Sequence, residues 1–282
     1  MSWQVLEAGT LTTVQDRGRR GHAHLGVPRA GALDAPAAEL ANRLVGNDVE
    51  AALLEVTLGG LRVRAAAGRW VAVTGAACPL TIDGVARQHG RAAWVPAGAE
   101  LGLGPPVTGV RAYVAVAGGL AVRPVLGSRS TDTLAWVGPP RVEAGTVLPL
   151  GEPVADPRPH DTPRPPRPGR LGLTTGPRDD WFVDGAIDLL CASTYTVAAD
   201  SNRIGLRLAG PALQRTRSGE LASEGMVLGA VQVPPDGQPV VLLADHPVTG
   251  GYPVIGVVET ADLHRCAQLR PGDSVRFTRQ PG

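Results

Sequence analysis

Gln15, Asp16, Arg17, Arg19 and Arg20 crowd into the stretch TTVQDRGRRGHAHLGVPRAGALD, residues 12–34, with Gly18, Gly21, Gly26 and Gly31 punctuating it. A carboxamide and a guanidinium offer paired donors and acceptors at fixed geometry, which suits a planar amide or a carboxylate. Asp16 could accept a substrate N–H or a proton. Equally, Asp16 and Arg19 could form an ion pair that only holds a turn. The glycines supply backbone positions that a side chain would forbid, for turns or for close approach of a ligand.

A second block of this kind is SEGMVLGAVQVPPDGQPVVLLADHPVTGGYPVIG, residues 223–256, with Glu220 just before it. Glu224 opens it. Gln232 alternates with Val231 and Val233, so it faces opposite to them, toward solvent or a barrel interior. Asp245 ends the apolar run VVLLAD, as a catalytic carboxylate or as a cap for the next turn. Thr249, Gly250, Gly251 and Tyr252 could turn backbone N–H groups toward an anionic oxygen. Between two expected strands lie Ser201, Asn202 and Arg203, either a site at a sheet end or an Asx-type turn. Asn42 is a weaker candidate, since asparagine suits a mid-helix position only when its amide has a partner. Asp34 reads as a helix cap. The expectation is that the two blocks build one site, Gln15, Asp16 and Arg19 facing Gln232, Asp245 and Tyr252.

Composition excludes several chemistries. The chain has 282 residues and net charge +1, and all 27 of its basic residues are arginine. Without lysine there is no Schiff base, no lysine general base, no phosphate-loop lysine, no biotinylated lysine and no serine–serine–lysine amidase triad. The near-neutral charge gives no reason to expect nucleic acid or an anionic membrane as partner. No run approaches the roughly 20 apolar residues of a membrane span. The start MSWQVLEAGT is unlike a secretory signal, and a cytoplasmic location is expected. Cys78, Cys191 and Cys266 are odd in number and far apart, which favours free thiols. His22 and His24 lack the acids or cysteines that would complete a zinc set, so no metal is expected. No Walker sequence and no GxGxxG after a strand is present.

These residues need elements to hold them. Short valine- and leucine-rich runs such as LLEVTL, WVAVTGA, VRAYVAVAGG, IGLRLAG and VIGVVE alternate with glycine and proline, which predicts a mainly β chain. Residues 225–245 read as a hairpin around Pro234-Pro235-Asp236-Gly237. Helices are expected over about 35–45, with Pro36 in the first turn and Gly46 as the stop, over 180–192, and over 260–269. The proline-dense stretch 151–170 reads as a linker between an N-terminal β-rich domain, 1–150, and a C-terminal domain, 171–282.

In order along the chain, TTVQDRGRRG, GVPRAGALD, ANRLVGN, SNRIGLRLAGPAL, ELASEGMVLGAVQVPPDGQPVVLLAD, TGGYPVI and QLRPGDSVRF resemble the family of the 5-oxoprolinase C subunit, also called the Kip-antagonist family. This is also the family of one half of the urea carboxylase carboxyltransferase region, and its members often carry the label "allophanate hydrolase subunit 2". His246-Pro247-Val248 departs from the expected glutamine and threonine there. The resemblance implies a cyclophilin-like β-barrel, at least in the C-terminal part. It implies a subunit of an ATP-dependent 5-oxoprolinase, working with a subunit-B-like protein and a lactam-utilisation, subunit-A-like protein. The alternatives are half of a biotin-dependent carboxyltransferase acting on urea or a related amide, with biotin supplied in trans, and a regulatory antagonist of a kinase-inhibitor-like partner. On this reading Arg19 or Arg203 would take a substrate carboxylate. Asp245 or Glu224 would handle protons, and Gln15 and Gln232 would hold the amide.

Overall fold

The computed structural model describes residues 1–159, 170–217, 219 and 221–279. Residues 160–169 of the proline-rich stretch and Glu220 lie outside them. The chain divides into two compact units. The described part of the first is 1–19, 30–132 and 136–159, and that of the second is 20–29, 133–135 and the residues from 170 onward.

The first unit holds two antiparallel sheets. One runs in the order Val147–Pro149, Ser2–Ala8, Leu61–Ala65, Glu100–Leu103, Leu80–Ile82, Val85–Arg87. The other runs Leu11–Gln15, Leu53–Thr57, Thr108–Val116, Arg69–Ala77, Ala93–Val95. Their facing residues make one core, in which Trp3, Val5, Val63 and Leu101 meet Val14, Leu54, Val56, Val73 and Val114. The intervening residues Leu53, Ala72, Tyr113 and Ala115 point the other way and pack on Ala38, Ala41 and Leu44. Those belong to the helix Ala35–Leu44, which starts at Asp34 as expected, the carboxylate accepting from Ala37 N at 3.1 Å. Because its strand is covered on both sides, LLEVT is apolar almost throughout.

The exception in that strand is Glu55, 1% exposed, on the helix side. Its Oε2 accepts from the Tyr113 hydroxyl at 2.9 Å and from Leu33 N at 3.0 Å, and Arg111 Nε lies 3.5 Å from Oε1. Asp34 N donates to the same hydroxyl at 2.7 Å. Burial, then the neighbouring Glu55 and Asp34 carboxylates, raise the Tyr113 phenol well above its ordinary pKa. Gly75 makes room for the ring. Its φ is +78°, and a Cβ there would meet the Tyr113 ring at 2.9 Å.

The second unit is a closed barrel in the order Arg170–Thr175, Val254–Val258, Ala230–Gln232, Val240–Leu242, Gly205–Ala209, Tyr195–Val197, Ser274–Arg279. It closes through the parallel pairing of its first and last strands, Leu171 opposite Phe277. The turn of the expected hairpin is present, with Gly237 at φ +75° donating to Pro234 O. A two-stranded ribbon, Glu224–Gly225 with Thr249–Gly250, lies beside the barrel strands.

The chain is thus mainly β with a few short helices. The helix expected over 180–192 is shorter than its apolar spacing suggested. A 3-10 turn covers Asp179–Trp181, and the α-helix runs only over Ala186–Ala192. Gly185 at φ +80° breaks the run, and Phe182 is drawn into a bridge with Arg215. The third helix is likewise a 3-10 turn, Thr260–Asp262, followed by Leu263–Cys266. No helix among the described residues is long and apolar enough to cross a membrane.

Candidate functional site

At the end of strand Leu11–Gln15 the first block folds around one loop. Asp16 Oδ1 accepts from Gly18 N at 2.8 Å, Ser128 Oγ at 2.6 Å and Ser130 Oγ at 2.6 Å, while Oδ2 accepts from Arg129 N at 2.6 Å. The carboxylate is therefore engaged by neutral donors, and the Asp16–Arg19 ion pair that the spacing allowed does not form. Arg19, 2% exposed, donates instead to the Ser130 carbonyl and, at 3.5 Å, to that of Val125. Gln15 is 0% exposed, and its Nε2 donates to Thr13 Oγ1 and Thr131 O, each at 2.9 Å. Its Oε1 is buried with no hydrogen-bond partner among the described residues. All three side chains converge on residues 125–131.

Asn42, 1% exposed, ties the end of its helix to the following loop. Its Nδ2 donates to Ala51 O at 2.8 Å, and its Oδ1 accepts from Asn47 Nδ2 at 3.1 Å. This is the partnered amide that a mid-helix asparagine calls for.

In the barrel unit Asp245, 0% exposed, makes a two-pronged pair with Arg203, 2% exposed. The two bonds are Nε to Oδ2 at 2.8 Å and Nη2 to Oδ1 at 2.9 Å. Thr133 adds its backbone N at 2.9 Å and its Oγ1 at 2.7 Å, both to Oδ2. The neighbouring His246 is 7% exposed, and burial lowers its imidazole pKa, with the Arg29 charge acting in the same direction. Its Nδ1 stands 2.7 Å from the Pro247 carbonyl, which makes Nδ1 the protonated nitrogen. Asn202 Oδ1 accepts from Ile204 N at 2.8 Å and Gly205 N at 3.2 Å, the Asx-type turn. Ser201 Oγ accepts from Arg207 N at 3.0 Å.

The ribbon carries the remaining candidates. Glu224 is gripped by Arg178 through both nitrogens of the fork, Nε to Oε2 at 3.1 Å and Nη2 to Oε1. Gln232 is 7% exposed, so it does not face open solvent. It lies under the ribbon. Its Nε2 reaches Met226 Sδ at 3.2 Å and Tyr252 O at 3.3 Å. Gly250 lets the amide come close, since a Cβ there would stand 2.6 Å from Gln232 Nε2 and push it aside. Thr249 is exposed, and Tyr252 leaves 41% of its surface open. Arg215 Cζ sits 5.8 Å from the Tyr252 ring centre.

Cofactor fit can be judged from these residues. Among them no group of three His, Cys, Asp or Glu side chains is placed to hold a metal ion. A nucleotide phosphate finds no ready helix end. The N-terminus of Ala35–Leu44 is already taken by the Asp34 carboxylate, and Ala186–Ala192 has Asp188 in its first turn. Neither of these two helix N-termini is free to take an ATP phosphate.

A model of the carboxyltransferase domain, subdomains A and B, matches residues 25–279. The chain belongs to the carboxyltransferase domain family. It is 40% identical to the C subunit of 5-oxoprolinase from Escherichia coli (strain K12), over 97% of this chain and 90% of that one. Urea amidolyase of Saccharomyces cerevisiae is 34% identical, over 95% of this chain but 16% of its own. Among solved structures, TTHA0988 superposes with a TM-score of 0.89 at 41% identity, covering 98% of this chain and 55% of that one. The K. lactis urea amidolyase gives a TM-score of 0.92 at 30% identity, covering 99% of this chain and 19% of that one. The chain therefore spans about half the length of TTHA0988 and a small part of the urea amidolyases. Its relatives are components of 5-oxoprolinase and of urea amidolyase.

Within the family frame three groups emerge. Gln15, Asp16 and Arg19 share one loop; Arg203 and Asp245 share one ion pair, beside the Ser201–Asn202 turn. Glu224, Gln232, Thr249 and Tyr252 share the ribbon. Residues missed by sequence reasoning are those that complete each group: Ser128, Arg129 and Ser130 on Asp16, Thr133 on Asp245, Arg178 on Glu224, and Arg215 on Tyr252. The run SRSTDT, residues 128–133, was the available signal, six consecutive residues without one apolar side chain.

Proposed function

We propose that this chain is the C component of an ATP-dependent 5-oxoprolinase, which opens 5-oxoproline to glutamate together with subunit-B-like and subunit-A-like proteins. The observation that carries the reading is the 40% identity to the E. coli C subunit over nearly the full length of both chains. A lactam C–N bond is resonance-stabilised, and ATP, bound on a partner, supplies the activation of its carbonyl oxygen.

The hydrogen bonding supports a division of roles in this chain. Asp16, Arg19, Asp245 and Arg203 are held by several hydrogen bonds each, and we assign them to positioning, together with Gln15, Asn42, Ser201 and Asn202. Glu224 is 27% exposed at its side chain, and we assign proton handling to it, with Arg178 as its partner. Gln232, Thr249 and Tyr252 line the place where a small planar amide would lie. The linker role of residues 151–170 stays part of the proposal.

The family description and the match to urea amidolyase favour one second reading, half of a carboxyltransferase receiving carboxybiotin from another polypeptide. The two readings separate in one experiment. The purified chain is assayed with ATP and 5-oxoproline alone, then with subunit-B-like and subunit-A-like proteins. Glutamate release only by the full set supports the first reading. Turnover by the chain alone would overturn the composite site, and a set that carboxylates urea from carboxybiotin but leaves 5-oxoproline intact would establish the second.

A further inference from the structure

Arg215 stands out among the arginines near the ribbon. Arg178 is paired with Glu224 and Arg217 with Asp180, the latter at 2.7 Å. Arg215 has no carboxylate partner among the described residues. One Nη2 hydrogen goes to the Val233 carbonyl, and the guanidinium lies over the Tyr252 ring. Its Nε is buried with no hydrogen-bond partner among the described residues. A guanidinium has five N–H donors, and a covered N–H left unmet costs on the order of 1–3 kcal/mol.

A second group without a protein partner lies close by. Gln232 Nε2 is used by Met226 and Tyr252 O, but Gln232 Oε1 accepts no hydrogen bond from the described residues. The two side chains are neighbours through the backbone. Arg215 bonds Val233, the residue after Gln232, and Gln232 bonds Tyr252, whose ring Arg215 touches. The result is a carboxamide acceptor, a cationic fork without an anion, and a half-exposed aromatic ring. All three lie in the barrel unit.

We propose that Arg215, Gln232 and Tyr252 form a binding site for a small planar amide that carries a carboxylate, with Arg215 as the residue that selects the carboxylate. The ligand N–H donates to Gln232 Oε1. Its planar amide lies on the Tyr252 ring, and its carboxylate takes the fork of Arg215. The site rests on the substrate class proposed above, but its test does not require turnover.

The test is equilibrium binding to the purified chain by calorimetry, with 5-oxoproline, with allophanate, and with 2-pyrrolidinone, the same lactam without the carboxylate. The wild-type chain should bind at least one of the two acids about tenfold or more tightly than 2-pyrrolidinone, a difference of roughly 1.4 kcal/mol. Arg215→Gln should erase that preference and leave 2-pyrrolidinone binding unchanged. Arg217→Gln, a change at the exposed neighbour, should keep it. Unchanged binding of 2-pyrrolidinone also reports that the variant is folded. If Arg215→Gln retains the preference for 5-oxoproline, the role of Arg215 is wrong while the substrate reading stands. If allophanate alone binds and depends on Arg215, the site stands and 5-oxoproline falls. Absence of binding by either acid, or equal binding of acid and lactam by the wild-type chain, overturns the site.

Discussion

Asp16 and Asp245 are the same residue type, each just past a strand, yet their surroundings differ in kind. Asp16 is half-buried and takes four neutral donors, two backbone N–H groups and two serine hydroxyls. Asp245 is fully buried and takes a guanidinium plus one threonine. Neutral donors let a carboxylate organise a loop, because each bond fixes a backbone position. A charged partner in the interior instead locks two side chains that each need the other, since an isolated buried charge is strongly disfavoured.

The largest effect should therefore come from Asp245→Ala. Removing the carboxylate from this buried, two-pronged pair should cost about 3–5 kcal/mol, read as a lower urea midpoint at unchanged m-value. The double change Arg203→Met with Asp245→Leu should recover most of that loss, because well-packed apolar residues can replace a buried pair at little cost. A double variant as unstable as the single one would break the comparison.

Asp16→Ala should cost less, about 2–3 kcal/mol, since the orphaned donors are neutral and partly reachable by water. Its distinguishing sign is local: faster tryptic cleavage at Arg129 than in the wild-type chain, with cleavage elsewhere unchanged. If Asp16→Ala destabilises more than Asp245→Ala, the distinction between neutral and charged donors is wrong.

Tyr113→Phe probes another carboxylate, the buried Glu55, which mixes both kinds of donor. Losing the hydroxyl that bridges Glu55 Oε2 and Asp34 N should cost roughly 1–2 kcal/mol in the same urea assay. It should also remove an alkaline effect. The folded phenol has a raised pKa, so its share of stability is full below the unfolded value of about 10 and is lost as pH climbs above it. The phenylalanine variant should lack that alkaline decline.

The smallest effect should come from His246, beside the charged pair. Its folded pKa is lowered, so the unfolded chain binds more protons below about pH 6.5 and stability falls there as pH falls. His246→Gln should flatten the stability curve between about pH 5 and 7 and leave it unchanged above. A variant with an undiminished acid slope would place the titrating group elsewhere, His89 being the next candidate, since burial lowers its pKa too.

Much of the fold was legible because its signals are local. Alternating valines gave the strands, Asp34 with Pro36 and Gly46 gave the first helix, and Pro234 to Gly237 gave the hairpin turn. The second helix was misjudged because apolar spacing at 180–192 carries no record of Gly185 in a left-handed turn or of Phe182 bridging Arg215. The candidate site was only half legible. Asp16, Arg203 and Asp245 were visible as unusual residues, but their partners are distant in sequence. Ser128 reaches Asp16 across 112 positions, and Thr133 reaches Asp245 across the same number. No periodicity links residues so far apart. The sequence also could not show that Gln232 lies beneath a ribbon of only two residues per strand.

The closure of the barrel sets an order of assembly. Its first strand, Arg170–Thr175, pairs with its last, Ser274–Arg279, so the ring cannot be complete until the final strand has been synthesised. Such long-range pairing slows folding, because the loop must close before its contacts reward it. Until then Arg170–Thr175 and Tyr195–Val197 each keep an open edge that other chains can join. A chain interrupted before Ser274 would therefore be prone to aggregate through those edges, and expression at lower temperature, with slower synthesis and weaker apolar association, should favour the closed form.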